Sequence, residues 1–347
     1  MKVALEAAAV PRAGFVVREA TKRDIPDINR LFAVVFGRER ETAATTWRLF
    51  DNPAGEAVVT VVEKDGCIIA QRAFWPIWIG LGSERVLGAQ SIDLMVHPDF
   101  QGKGVFRFMA LASFRSAERR GIEVLYGFPN CRALRASHGL GWNEIGRVCT
   151  FTRPLRSDAF SRLPLPFHPV MSLALRVWPK GSTRHFDVQS ARPDAEAVQA
   201  LLPRRSPSGT RACETERSPE WYNWRFARKM EGRYEWVSVH TAGQVVGFAV
   251  WGRSPDGRTA RLAEVIGASE GAISAAIAGV IDHAAQAECS AVDAMTNRTD
   301  VLRALAHNGF RKSGDLVFRV KNLARRSLPP FESFAQWRLL GSDFDVY

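Results

Sequence analysis

Ile92-Asp93-Leu94-Met95-Val96-His97-Pro98-Asp99-Phe100-Gln101-Gly102-Lys103-Gly104-Val105-Phe106 joins a strand pattern, a glycine turn and a helix start. Ile92, Leu94 and Val96 alternate with Asp93 and Met95, the period of a strand with one buried face. Pro98 ends that strand, because a proline nitrogen carries no hydrogen for a ladder. Gly102 and Gly104 permit a backbone path closed to other residues, and Lys103 adds positive charge. An amphipathic helix follows, with Val105, Phe108, Met109, Leu111, Ala112 and Phe114 apolar and Arg107, Arg115, Glu118, Arg119 and Arg120 polar. A glycine turn entering a helix start presents unpaired N–H groups at the positive end of the helix dipole, which is an anion site. The turn lacks the Gly-Lys-Ser/Thr ending of a P-loop and the glycine spacing of a dinucleotide fingerprint.

The surrounding chain repeats itself. Trp47-Arg48-Leu49-Phe50 precedes a β-rich run (57–63), a turn at Asp65-Gly66 and a second strand (67–74). Trp224-Arg225-Phe226 precedes a similar run (234–240), a turn at Ala242-Gly243 and a strand (244–251). From Trp47 to Gly66 and from Trp224 to Gly243 the distance is the same 19 residues. Later in each half a short strand (123–128, 291–295) leads to Asn130 or Asn297, a helical stretch, Gly141-Trp142 or Gly309-Phe310, and a closing strand. Each half also opens alike, with a strand and then an acidic-capped helix. The order of these matches predicts a duplicated α/β domain.

At 347 residues the chain accommodates two domains, and 46% apolar with 24% charged residues is ordinary for a globular protein. The boundaries read as a first domain 1–153, a linker 154–184 rich in Pro and Arg, a second domain 185–321 and a tail 322–347. The five cysteines show no metal-ligand spacing and read as reduced thiols, which places the protein in the cytoplasm. Glu6 and Pro11 interrupt the N-terminal apolar run short of a signal peptide, and Val265–Ile281 reads as an Ala-rich core helix, so no transmembrane segment is expected. Leu173–Trp178 with Arg176 and Lys180 is long enough for no more than a weak peripheral membrane contact. A net charge of +11 favours anionic partners, yet no nucleic-acid motif accompanies it, and nucleic acid is an unlikely partner.

Gln101-Gly102-Lys103-Gly104-Val105-Phe106 resembles the donor motif Q/R-x-x-G-x-G/A of the GNAT superfamily of acyl-coenzyme A N-acyltransferases. It matches at Gln101 and Gly104 and departs at Phe106, where Gly or Ala is usual. Val96-His97-Pro98-Asp99-Phe100 and the segment Asn130 to Trp142 are also similar to the family's pattern. The likeness covers residues 14–152 in detail and the second half in outline. It implies two tandem GNAT-like domains of the α/β class, each a mixed, mostly antiparallel central sheet flanked by helices. It further implies acetyl-CoA or another acyl-CoA as donor, an amine acceptor, and no metal. The pantetheine arm would lie between two splayed strands, bonded to the backbone of Met95 and Val96. The N–H groups of Gly102, Lys103, Gly104, Val105 and Phe106 would hold the pyrophosphate, with Asn130 near the pantetheine or thiol. Peptidyl transferases that extend cell-wall precursors share paired domains of this kind, but their donor is aminoacyl-tRNA and the phosphate loop here argues for coenzyme A.

Acyl transfer needs a base for the amine and an acid for the thiolate. The tyrosine that many relatives carry after the Asn is replaced near Ser137 and His138. Asp93, expected to alternate off the buried strand face, is the candidate base, Tyr126 the candidate acid, and His97 a third candidate. Some two-lobed members fold the terminal carboxylate into the active site, which makes Tyr347 a further candidate. The second half has only Gly267-Ala268 before its helix, and Glu270 there repels a pyrophosphate, so one donor site per chain is expected. Trp47, Trp75, Trp78 and Trp221 are candidate walls of an acceptor pocket, for a small molecule such as an amino sugar. A non-catalytic acyl-CoA-binding regulator is the alternative from another class, suggested by the missing tyrosine.

Overall fold

The computed structural model describes residues 14–344 except 83, 161–167, 203–211, 229–233, 325 and 327. The chain divides into two compact units, one of residues 1–146 with 317–336, the other of residues 147–316 with 337–347.

The first unit contains β1 (Phe15–Glu19), α1 (Ile25–Phe36), α2 (Thr42–Phe50), β2 (Val58–Lys64), β3 (Cys67–Leu81), β4 (Glu84–Val96), α3 (Val105–Arg119), β5 (Val124–Gly127) and α4 (Cys131–Ala136). Strands β1 to β5 pair in chain order, all antiparallel except β4 with β5. The β2–β3 hairpin turns at Asp65-Gly66 with φ of 49° and 77°, the left-handed pair that matches strand twist. Helix α1 stops at Gly37, whose φ of 68° places it in the left-handed cap conformation. Helix α3 buries Ala110, Phe114 and Ala117 against Val58, Phe74, Ala89 and Leu125 of the sheet.

The second unit holds β6 (Asn143–Pro154) from its residue 147 onward, α5 (His168–Arg176), β7 (Asp187–Gln189), α6 (Ala195–Leu201), β8 (Cys213–Thr215) and α7 (Pro219–Tyr222). A π-helical turn, Asn223–Ala227, follows, then β9 (Tyr234–Thr241), β10 (Gln244–Arg253), β11 (Thr259–Gly267), α8 (Glu270–Gln286), β12 (Ala291–Thr296) and α9 (Thr299–His307). Its sheet runs β7-β9-β10-β11-β12, again antiparallel except for the one parallel pair, β11 with β12. The β9–β10 turn repeats the first hairpin, with Ala242 and Gly243 at φ of 49° and 78°. Helix α8 approaches the sheet through small residues: a Cβ on Gly279 would lie 2.7 Å from Val237.

The closing strands are exchanged. Residues 149–154 of β6 pair with β12 in the second unit, and residues 319–322 of β13 (Arg311–Asn322) pair with β5 in the first. The sequence boundaries at 153 and 321 therefore fall inside these two strands. The last described strand, β14 (Trp337–Arg338), runs parallel to β8 in the second unit. In the stretch read as a linker, Val170, Leu173 and Val177 are 67%, 64% and 83% exposed. No described helix is long and apolar enough to cross a membrane.

Candidate donor site and its counterpart

Strand β4 pairs with β5 only at Gly88–Val124, Ala89–Leu125 and Gln90–Tyr126. Beyond Gln90 it stays bonded to β3 while its other edge parts from β5, leaving a fork. The parting coincides with a bulge between Gln71 and Ala73, opposite which Asp93 adopts a φ of 43°. The extra residue resets the alternation: the buried side chains are Ile92 and Met95, three apart, rather than Ile92, Leu94 and Val96.

The bulge also changes the surroundings expected of Asp93. Its side chain is 7% exposed and paired with Arg40 Nη1 at 2.7 Å and Arg48 Nε at 3.0 Å. Burial alone would raise its pKa, but Arg48 and Arg40 outweigh that and hold it below the ordinary carboxylate range. Both oxygens are engaged, so Asp93 anchors the bulge, and its lowered basicity argues against the proton-acceptor role. Sequence reasoning missed the two arginines. The repeated Trp-Arg pair was the available signal, since Arg225 is also buried (1% exposed) and bonds the Phe344 carbonyl at 3.0 Å.

At the end of β4 a short 3-10 turn, Pro98–Phe100, leads into the loop. His97 accepts through Nδ1 from the Asp99 N–H at 3.3 Å, a turn-holding contact. Gln101 donates its amide to the Val96 carbonyl at 3.1 Å, which ties the loop to the strand end. Gly102 and Gly104 have φ of 72° and 78°, and an added Cβ would meet nothing within 4 Å at either position. Gly104 is the N-cap of α3, so no side chain occupies the N–H groups of the helix's first turn. Val105 points inward at 4% exposure, while Lys103 is exposed. These are the requirements of an oxyanion site, and a pyrophosphate fits them.

Tyr126 is fully buried in register with Gln90, its ring 6.3 Å from Phe128 and 6.0 Å from Phe318. Asn130 caps α4, its Oδ1 accepting from the Ala133 N–H at 2.9 Å. Met95 and Val96 lie on the edge of β4 that β5 leaves, whereas Tyr347 lies outside the described residues. Trp47, Trp75 and Trp221 are 2%, 4% and 5% exposed, which makes them core rather than pocket walls. Among the described residues no group of His, Cys, Asp and Glu could hold a metal.

The second unit has the same fork, and it is filled. Strand β11 pairs with β12 from Thr259–Ala291 to Leu262–Ala294. Past that point Thr296 bridges to Leu340 and donates Oγ1 to the Leu339 carbonyl at 2.8 Å. Asn297 completes the hold, donating to the Trp337 carbonyl at 2.9 Å and accepting from the Leu339 N–H at 2.8 Å. Glu264, fully buried on β11, accepts from Arg217 at 2.6 Å and Ser342 at 2.7 Å, while Arg217 also reaches Asp343 at 2.9 Å. The helix start is closed as well: Ser269 caps α8 through the Ala272 N–H at 3.1 Å, and Glu270 pairs with Arg303 at 2.6 Å.

Residues 16–144 match the acetyltransferase (GNAT) domain, and the match supports acyl transfer from coenzyme A to an amine. Solved structures share the fold over most of the chain. Saccharomyces cerevisiae N-myristoyltransferase with bound myristoyl-CoA is 14% identical, with a TM-score of 0.66 over 92% of this chain and 86% of that one. A conserved Enterococcus faecalis protein described as a probable N-acyltransferase is 11% identical, with a TM-score of 0.65 over 89% of this chain and 73% of that one. A tandem GNAT protein from the clavulanic acid biosynthesis pathway is 14% identical, with a TM-score of 0.59 over 90% of this chain and 100% of that one. No curated protein matches the sequence. Residues 16–144 thus carry the GNAT domain, and the chain as a whole shares the mixed α/β fold of the tandem GNAT protein.

Proposed function

We propose that this protein acts in the cytoplasm and transfers an acetyl or other short acyl group from coenzyme A to an amine of a small acceptor such as an amino sugar. The observation that carries the proposal is the open glycine cap of α3 beside the edge of β4 that β5 leaves. The Gly102 to Phe106 N–H groups would hold the pyrophosphate, Met95 and Val96 would bond the pantetheine through their backbone, and Asn130 would face its thiol end. Attack by a neutral amine forms the C–N bond and breaks the C–S bond, and the amine loses one proton while the thiolate gains one. Tyr126 is the proposed proton donor to the thiolate. The Tyr347 carboxylate is the proposed base, and Asp93 positions β4 for the reaction.

Mixing the protein with acetyl-CoA and a panel of amines, with free thiol as the readout, tests the transfer. Release of thiol that depends on one class of amine is the expected result. Tyr126→Phe then lowers kcat by about 100-fold with coenzyme A affinity unchanged, the usual scale of a lost general acid. Removal of residues 345–347 lowers turnover and also leaves affinity intact. A second reading, an acyl-CoA-binding regulator, draws on the engagement of both Asp93 oxygens. Tight binding with no thiol release for any amine would favour it.

A further inference from the structure

On the α3 side of the first unit's sheet, three cations stand together with no carboxylate hydrogen-bonded to them among the described residues. Arg72 of β3 is 3% exposed, and its Nε and Nη1 have no hydrogen-bond partner among the described residues. Its guanidinium carbon lies 4.7 Å from the ring centre of Phe74, 4.9 Å from Phe114, 5.6 Å from Trp142 and 5.9 Å from Phe106. Arg319 of β13 stacks over the same Trp142 at 5.7 Å, gives Nη1 to Ser137 at 2.6 Å, and has an unpartnered Nε. Lys321 places Nζ 4.7 Å from the centre of Phe114.

These groups burden one another. Burial and then Arg319 pull Arg72 down to about 9, which still leaves it charged at neutral pH. Burial lowers Lys321 too, and Arg72 adds to the effect. Two carboxylates oppose this effect, Glu118 on Lys321 and Glu144 on Arg319. Stacking on aromatic rings returns only part of what removing an ion from water costs. An oxyanion among the three cations would resolve the imbalance; the rings alone do not.

Position ties the cluster to the fork. Arg72 lies on β3 opposite the bulge at Asp93, and Arg319 and Lys321 pair with Gly127 and Leu125 of β5. The cations thus flank the place where β4 and β5 part. Phe106 and Trp142, both half-buried, cover them. Phe106 occupies the motif position where the resemblance expects a small residue, and its ring rests on the guanidinium.

We propose that Arg72, Arg319 and Lys321 form an oxyanion subsite of the donor cleft, reached by displacement of Phe106 and Trp142. The inference rests on the acyl-CoA reading above and adds a preference within it. The oxyanion is either a coenzyme phosphate or the terminal carboxylate of a dicarboxylic acyl group. The carboxylate is favoured, because in the proposed function the first-turn N–H groups of α3 take the pyrophosphate, and the cations flank the place where β4 and β5 part. Two of the three come from β13, which gives the exchanged strand a part in donor choice.

Calorimetric titration of the wild type, Arg72→Met and Lys321→Met with coenzyme A, acetyl-CoA and succinyl-CoA tests the subsite. The expected result is tenfold or greater preference of the wild type for succinyl-CoA over acetyl-CoA, lost in both variants with acetyl-CoA affinity unchanged. Equal weakening of all three ligands in the variants assigns the subsite to a coenzyme phosphate instead. Variants that bind every ligand within twofold of the wild type overturn the proposal and leave a structural stack. Should Arg72→Met fail to fold, Lys321→Met, at a half-buried position, carries the test. A wild type that binds none of the three overturns the acyl-CoA reading itself. In that case protection of the wild type against thermal unfolding by inorganic pyrophosphate or succinate, lost in Lys321→Met, still supports the subsite, and no protection overturns it.

Discussion

The forks of the two units are built by the same device and end in opposite states, one open and one filled. In each, one parallel strand pair holds for three or four residues and then parts, with a helix following the first strand. In the first unit the helix cap is a bare glycine; in the second, Ser269 and Glu270 close it. The gap that β4 and β5 leave in the first fork is occupied in the second, where β12 is bonded to Leu339 and Leu340. Even the asparagine after the second strand divides in role, Asn130 capping its own helix while Asn297 grips the terminal segment. The duplication kept the frame and the buried arginine after each Trp. The two forks differ at a few positions of the helix start and in what fills the gap.

The largest expected effect comes from the charge that holds the first fork open. Asp93→Asn leaves Arg40 and Arg48 buried without their anion, which costs about 3–5 kcal/mol by analogy with broken buried pairs. Thermal unfolding should register it as a clear drop in melting temperature. Because the folded pKa of Asp93 is depressed, its contribution is complete above the unfolded value of about 3.9 and fades as pH falls through the folded value. The gap between wild type and variant should therefore narrow in acid. A variant that melts with the wild type at neutral pH would mean the bulge does not depend on this triad.

Gly104→Asp attacks the openness of α3. The substitution places a capping carboxylate over the first-turn N–H groups, adds negative charge, and strains a residue whose φ is 78°. Coenzyme A affinity should fall by about 100-fold, a loss of about 2.7 kcal/mol. Retained affinity would remove the loop from the donor site and with it the contrast between the two helix starts.

Glu264→Gln probes the closed fork, and its effect should be smaller. Burial raises the pKa of Glu264 despite Arg217, so the folded state favours the protonated form. That stabilisation is complete below the unfolded value of about 4.3 and is lost as pH rises through the folded one. At neutral pH the neutral amide should then cost no more than about 1 kcal/mol, since Arg217 keeps Asp343. Urea titrations at two pH values would show the stability difference moving with pH, in the opposite sense to that of Asp93→Asn. A large loss at neutral pH would mean that the ionised carboxylate holds the terminal segment.

The order of elements, the duplication and the open glycine cap were legible because they are local: periodicity, turn residues and spacing carry them. The bulge at Asp93 was not, since an inserted residue leaves the composition of a strand unchanged and only its register with β3 reveals it. For the same reason Asp93 read as a candidate base off the buried strand face, whereas Arg40 and Arg48, more than forty residues upstream, engage both its oxygens. The exchange of β6 and β13 was hidden too, because each strand has the same pattern whichever sheet receives it. The cluster around Arg72 has no sequence signal, because Arg319 and Lys321 come to it from the far end of the chain.

The smallest effect is the sharpest test of what closes the second fork. Ser269→Gly with Glu270→Gln strips the α8 start of its cap and its charge, at a cost of a few tenths of a kcal/mol for the cap. If helix chemistry alone barred the coenzyme, a second equivalent should now bind. The terminal segment argues otherwise: Trp337, Leu339 and Leu340 are buried to within 3% and bonded to Thr296 and Asn297, so the gap stays occupied. Calorimetry on the double variant should still find one acyl-CoA per chain. Two per chain would show that the second fork is closed by its helix cap and that the Leu339–Leu340 segment yields to a ligand.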